Sequence, residues 1–267
     1  MAACVPYEYR AEPPESPNWC QPKESDIAFF GAVDTRPHLF LMTVTLLSVH
    51  RFHPHAGLFL LIPLRNNQTG VDIREWRKLL HGWSAGATIQ PLVTQQVEGI
   101  GAIRKGAGGY SPMTFHRHAV PEMLAALGYT WSINLDPDVL TVRPWDFSPL
   151  LHVRLIAGRP VGRGSRTAEW LQVRLDQLDA ATGKGQDVDS RARLQGFLRN
   201  TLNTTARDLE RTCEINGGVL VFNNRGATEM QWWRTVMQRY GQLSHVVEGD
   251  QDLISATARV ACLMTLV

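Results

Sequence analysis

One pattern limits this chain more than any other: short, unbroken apolar runs alternate with segments whose apolar positions recur at helical spacing. "DIAFFGAV" (Asp26–Val33), "GLFLLIPL" (Gly57–Leu64), "ATIQPLV" (Ala87–Val93) and "YTWSINL" (Tyr129–Leu135) read as buried strands. Between them, Leu39–Val49 carries a helical stripe that Pro54 terminates. "VDIREWRKLLHGW" (Val71–Trp83) begins on an Asp72 cap and stops at Gly82, and "MTFHRHAVPEMLAALG" (Met113–Gly128) forms a third helix. A strand–helix alternation of this kind predicts an open, mostly parallel, Rossmann-like α/β sheet with helices on both faces and right-handed crossovers.

Composition narrows the function classes. At 267 residues, with 44% hydrophobic residues and eight tryptophans, the chain can bury one large core or two small ones, which excludes disorder throughout. The formal charge of +2, from 27 basic and 25 acidic residues, supplies no global field for nucleic acid or an anionic membrane. No apolar run approaches the roughly 20 residues that span a bilayer. The first residues lack the basic-then-apolar order of a signal peptide, so the chain as given is expected to be soluble. Cys4, Cys20, Cys213 and Cys262 are too dispersed for a zinc knuckle; Cys4 and Cys20 either pair in an oxidising compartment or, like the others, stay buried thiols. Asn67 and Asn203 head glycosylation acceptor patterns, which leaves both a secretory lumen and the cytoplasm open.

Residues 1–24, rich in Pro, Glu and Ser, read as a flexible arm, and 25–267 as a single domain. Within it, the glycine-rich stretch 98–112 has the character of a loop that covers a ligand. About 160–212 reads as a helical insertion packed on the sheet. "INGGVLVFNN" (Ile215–Asn224) is a strand whose glycines allow close approach, "ATEMQWWRTVMQRYG" (Ala227–Gly241) is a helix, and an acidic cluster caps a final helix from Glu248.

The chemistry concentrates in "WSINLDPDVLTVRP" (Trp131–Pro144), where a strand runs into Asp136 and Asp138 around Pro137. Ligands of α/β sheets bind at the carboxyl ends of strands. Side chains two apart on an extended chain point the same way, so both carboxylates can face one spot. A shared divalent cation would turn their repulsion into coordination, and all-oxygen ligation favours Mn²⁺ or Mg²⁺, which would in turn hold a diphosphate. The competing reading is that Asp-Pro-Asp is only a turn.

"INLDPDVLTVRPWDFSPLL" resembles the Asp-x-Asp block of family 8 and related GT-A-fold glycosyltransferases, the nucleotide-diphospho-sugar transferases. "IAFFGAVDTRPHLFLMTVTLLSVHRF", with Ser48, is similar to that family's first strand and nucleotide-binding helix. "SPMTFHRHAVPEML", with Arg117, is similar to the segment before the metal strand, "EINGGVLVFNN" to the Asn-x-Gly-Val strand, and "EGDQDLISA" to the Asp-Gln-Asp block. The five blocks stand in order across about residues 26–259.

The resemblance implies a metal-dependent transferase that moves a hexose or pentose from a UDP-sugar, with retention, to a glycan, protein or lipid acceptor. It implies a base and ribose site at Val33, Asp34, Thr35 and His38, with His38 where an aromatic ring usually stacks on uracil. Arg117 would help hold the donor, unless it is a surface arginine at a helix start. Asp136 and Asp138 would bind Mn²⁺ (or Mg²⁺). Asn216, Gly217 and Gly218 would line the sugar pocket, and Asp250, Gln251 and Asp252 would meet the sugar hydroxyls, Gln251 nearest the anomeric carbon. The residues given do not include the family's C-terminal Lys-Pro-Trp block with its third metal ligand, a histidine, which leaves three readings: the sequence is a fragment, another residue or water completes the coordination, or metal binding is weak. Two other readings compete: a nucleotidylyltransferase, for which the acidic "GAVDTRPH" is a poor signature, and a degenerate, non-catalytic sugar-nucleotide-binding domain.

Overall fold

The structure, a computed structural model, describes residues 22–62, 78, 87–93, 111–161, 214–243 and 264–266. Seven strands form one sheet: β1 (Ile27–Ala32), β2 (Gly57–Ile62), β3 (Ile89–Val93), β4 (Trp131–Leu135), β5 (Ile156–Val161), β6 (Glu214–Asn223) and β7 (Met264–Leu266). Their order is β3-β2-β1-β4-β6-β5-β7. β6 pairs antiparallel with both β4 and β5, whereas every other pairing is parallel. The expected mostly parallel sheet is therefore present, with one reversal.

Both faces of the sheet are covered, which is why its strands read as unbroken apolar runs. On one face Ile27, Phe29, Leu58, Leu60, Ile133 and Leu135 pack under α1 (Arg36–Phe52), through Met42, Leu46 and Val49. α1 lies so close to β1 that Gly31 touches the Met42 side chain, and any larger residue there would collide with it. On the other face Ala28, Phe30, Phe59, Leu61 and Phe222 meet Phe115, Val120, Leu124, Trp232 and Val236. These last belong to α2 (Met113–His116), α3 (Val120–Ala126) and α5 (Trp232–Leu243).

Several boundaries differ from the sequence reading. The helix expected from Leu39 starts at Arg36: Thr35 caps it by accepting the His38 N–H at 3.4 Å, and Pro37 sits in the first turn, where its missing N–H costs nothing. The single helix expected over 113–128 is broken by a 3-10 turn at Arg117–Ala119. Pro121 cannot donate to the Arg117 carbonyl, which instead accepts the Val120 N–H one residue sooner. Gly128, at φ +93°, ends α3, and the Tyr129 N–H returns to the Leu124 carbonyl.

The helix expected over 227–241 is two, α4 (Asn224–Glu229) and α5. Gln231 adopts φ +48° between them, and Glu122 of α3 accepts the Trp233 N–H at 2.8 Å, capping the start of α5. Burial raises the Glu122 pKa above its ordinary value, against the lowering effect of the Trp233 bond. Glu24, assigned by composition to the flexible arm, lies in a 3-10 turn (Glu24–Asp26), with Oε1 2.9 Å from His53 Nδ1. β5 and β7 carried no clear strand signal. The helix over 71–83 falls outside the described residues except at Lys78, which is helical and exposed. The loop 98–110, nearly all of the 160–212 insertion and the C-terminal acidic helix also fall outside them. No helix among the described residues is long and apolar enough to cross a membrane.

Candidate active site

The reversal of β6 builds the site. β1 and β4 run side by side, Phe30 opposite Asn134, so that residues following Ala32 and Leu135 emerge at the same carboxyl edge. Because β6 is antiparallel, Leu135 pairs with Val219, and the amino-terminal residues of β6 arrive at that edge too. A parallel strand would have brought Phe222 and Asn223 there. The Asp136 N–H donates to the Gly218 carbonyl at 2.9 Å, continuing the ladder one step past β4.

The alternation of β4 then decides which side each polar group faces. Trp131, Ile133 and Leu135 point into the α1 layer, while Ser132 and Asn134 point to the opposite layer and are buried. Asp136 keeps that second parity and meets Arg117, from the 3-10 turn between α2 and α3. Arg117 Nη1 donates to Asp136 Oδ1 and to the Gly217 carbonyl, each at 3.0 Å. Asn134 Nδ2 is also 3.5 Å from that carbonyl. The Arg117 side chain is only 5% exposed and that of Asp136 39%. Arg117 is thus an internal countercharge behind the acidic turn; it is not the exposed arginine at a helix start that was one expectation.

Asp136 and Asp138 occupy a turn, closed by a Val139 N–H donation to the Asp136 carbonyl at 3.1 Å, with Pro137 at its second position. The turn reading therefore holds, and the turn lies at the carboxyl edge of the sheet. The extended-strand argument for their common direction does not hold, because β4 ends at Leu135. Asp138 is exposed and Asp136 half-buried.

Asn216 Oδ1 accepts the Gly218 N–H at 2.7 Å. A Cβ on Gly218 would stand 2.9 Å from that oxygen and 3.6 Å from Asp136 Oδ2, so the missing side chain leaves a cradle beside the carboxylate. Arg117 takes one oxygen of Asp136 while the other faces this cradle. The Asp136 carboxylate beside such a space, with the exposed Asp138 in the same turn, offers hard oxygen donors of the kind that suit a Mn²⁺ or Mg²⁺ ion taking its remaining ligands from water or phosphate. Among the described residues no group of three or more His, Cys, Asp or Glu side chains could hold a metal by itself.

The base-site candidates gather at the start of α1. Val33 gives its side chain to the core, and its N–H donates to the Leu61 carbonyl at 3.1 Å. Thr35 caps the helix, and His38 lies in its first turn, not in a loop, with Nδ1 3.0 Å from Asp34 Oδ1 and half its side chain exposed. Asp250, Gln251 and Asp252 lie outside the described residues.

Sequence reasoning missed three side chains of α1 and its C-cap that hold the segment 137–145: Thr45, Ser48 (noted only as a family-typical serine) and His53. It also missed the buried pair Ser132 and Asn224, joined at 2.6 Å. For the pair, a signal existed in polar residues standing inside apolar strand runs. For Thr45 and His53 none did, since their partners are backbone groups roughly 90 residues away.

No family model matches the chain, and none of the curated proteins does. Solved structures do resemble it. Mouse xyloside xylosyltransferase 1, apo form, superimposes with a TM-score of 0.52 at 14% identity, over 90% of this chain and 85% of that one. The galactosyltransferase LgtC, in complex with donor and acceptor sugar analogues, gives 0.51 at 14% identity, over 90% and 73%. The apo bifunctional glycosyltransferase WbbM gives 0.51 at 14% identity over 90% of this chain, which spans only 38% of WbbM. At that identity the likeness establishes architecture: the chain has the GT-A fold of nucleotide-sugar glycosyltransferases.

Proposed function

We propose that this protein is a metal-dependent, retaining glycosyltransferase that moves a hexose or pentose from a UDP-sugar to a glycan, protein or lipid acceptor. The observation that carries the reading is the meeting, at one sheet edge, of Asp136, its countercharge Arg117 and the glycine cradle of β6. A carboxylate braced from behind and opened in front by a missing side chain is arranged to bind something polar.

In this reading Asp136 and Asp138 hold Mn²⁺ (or Mg²⁺), whose bound form supplies Lewis acidity toward the departing diphosphate. Arg117 holds Asp136 in place through their 3.0 Å ion pair. Thr35, Asp34 and His38 receive the base and ribose at the positive end of α1, with the His38 ring stacked on the base. Gly217 and Gly218 leave room for the sugar ring beside Asn216. Asp250 and Asp252 grip sugar hydroxyls, and Gln251 faces the anomeric carbon, either as nucleophile or as the group that stabilises an oxocarbenium-like state. The segment between β5 and β6, whose flanking residues Val161 and Glu214 pair at this same edge, chooses the acceptor.

The test is a panel of UDP-sugars with Mn²⁺, reading release of UDP, with Asp138→Asn as control. Turnover on one donor, lost in the variant while its circular dichroism is unchanged, supports the reading. Nucleotide binding without turnover on any donor or acceptor would instead make this a sugar-nucleotide-binding domain. Turnover unaffected by Asp138→Asn removes the assigned role.

A further inference from the structure

Behind the acidic turn, α1 is joined to the segment 137–145 by side-chain-to-backbone bonds. Thr45 Oγ1 donates to the Pro137 carbonyl at 3.1 Å, Ser48 Oγ accepts the Thr141 N–H at 2.9 Å, and His53 Nε2 accepts the Trp145 N–H at 2.9 Å. On the segment these contacts fall at every fourth residue. On the helix, Thr45 and Ser48 share a face one turn apart, and His53 is the residue that closes α1.

Each brace is itself held. The Ser48 hydroxyl donates to the Thr45 carbonyl at 2.6 Å, so its lone pair is turned toward Thr141. His53 accepts at Nε2 and therefore carries its proton at Nδ1, which faces Glu24 Oε1 at 2.9 Å. Its ring packs against Phe29 and Phe147. Within the segment, Trp145 Nε1 donates to Thr141 Oγ1 at 3.1 Å. Thr45, His53 and Thr141 are all buried.

Among the described residues no strand pairs with this stretch, although Trp145 packs edge-on against Phe29 of β1. β4 has ended at Leu135 and the next 3-10 turn (Ser148–His152) has not begun. The bond from Thr45 is the most informative, because the Pro137 carbonyl belongs to the peptide that joins Pro137 to Asp138. Its direction sets where the Asp138 side chain leaves the turn.

We propose that Thr45, Ser48 and His53 are positioning residues that hold Asp138 in register with Asp136, and so set the affinity of the acidic turn for a divalent cation. The inference rests on the reading above, in which those two carboxylates bind the metal. Apparent affinity scales with the fraction of molecules whose turn is already arranged, so loosening the brace weakens binding without removing a ligand. At saturating metal the arranged state is restored.

The test compares the full chain with Thr45→Val, Ser48→Ala, Ser48→Thr and Asp138→Asn. Mn²⁺ affinity is measured by calorimetry in the presence of UDP, and hydrogen exchange of the Thr141 and Trp145 amides is followed without metal. Thr45→Val and Ser48→Ala are each expected to weaken Mn²⁺ about tenfold, equivalent to about 1.4 kcal/mol. Turnover at saturating Mn²⁺ should stay within about twofold of wild type, the split that separates positioning from catalysis. The Thr141 amide should exchange faster in Ser48→Ala, and Ser48→Thr, which keeps the acceptor oxygen, should restore both readouts. Wild-type Mn²⁺ affinity in both Thr45→Val and Ser48→Ala overturns the inference while leaving the metal reading intact. Absence of Mn²⁺ binding in the wild-type chain overturns the metal reading and the inference with it.

Discussion

Replacing Arg117 with Met separates two roles that the sequence alone could not: an arginine that grips a ligand, and one that holds the site together. The guanidinium is 5% exposed, and one nitrogen serves both Asp136 Oδ1 and the Gly217 carbonyl at 3.0 Å. Met fills similar volume but donates nothing. Among the described residues the Gly217 carbonyl would then keep the distant Asn134 amide, at 3.5 Å, and losing a charged donor to a buried carbonyl costs about 1–3 kcal/mol. The ion pair adds less, because Asp136 is 39% exposed and water screens it; about 0.5–1 kcal/mol is a fair allowance. Together these give a loss of about 1.5–4 kcal/mol, or roughly 3–16 °C in Tm for a chain of this size. Urea unfolding followed by far-ultraviolet circular dichroism, with the slope compared between variants, measures it. A variant within about 0.5 kcal/mol of wild type would refute the structural role and return Arg117 to the ligand.

Four further outcomes follow from the same contacts. Asn224→Ala removes the acceptor of the Ser132 hydroxyl and the donor to the Tyr129 carbonyl, both about 3 Å or shorter, so chemical denaturation should show a loss of about 2–4 kcal/mol. Gly226→Ala drives a methyl group into the Arg154 backbone carbonyl, which cannot swing aside, and should lower Tm markedly, as overpacking of about 1–3 kcal/mol does. Gly218→Ala adds a methyl group 3.6 Å from Asp136 Oδ2 and should leave the fold intact while weakening UDP and Mn²⁺ binding by calorimetry. Glu122 has a raised pKa, caused first by burial, so the folded state favours its protonated form: its contribution is greatest at acid pH and fades as pH rises through the folded value. Glu122→Gln, which keeps an acceptor for the Trp233 N–H, should therefore match wild type at acid pH and gain on it toward neutrality; a constant difference across pH would contradict the assignment.

The parts of the molecule legible in the sequence were those governed by local pattern. The apolar runs of β1, β2 and β4 announced a sheet covered on both sides, and Asp-Pro-Asp after β4 marked the carboxyl edge at which the candidate site lies. What the pattern could not carry was direction and long-range pairing. Nothing in "INGGVLVFNN" distinguishes a parallel from an antiparallel strand, yet the reversal of β6 is what sets Gly217 and Gly218 beside Asp136. Helix breaks were equally hidden: the effect of Pro121 falls on the Arg117 carbonyl, and the end of α4 depends on a left-handed Gln231 with its successor capped by Glu122 from another helix. The repulsion first argued between Asp136 and Asp138 is tempered by Arg117, whose inward direction only the 3-10 turn reveals.

The most direct test of the account is calorimetric titration of UDP into the protein with and without Mn²⁺, repeated on Asp138→Asn. The account predicts binding that requires the metal in the wild-type chain and disappears in a variant whose circular dichroism and unfolding midpoint are unchanged. Binding that is equally tight without metal, or undiminished by Asp138→Asn, would contradict it.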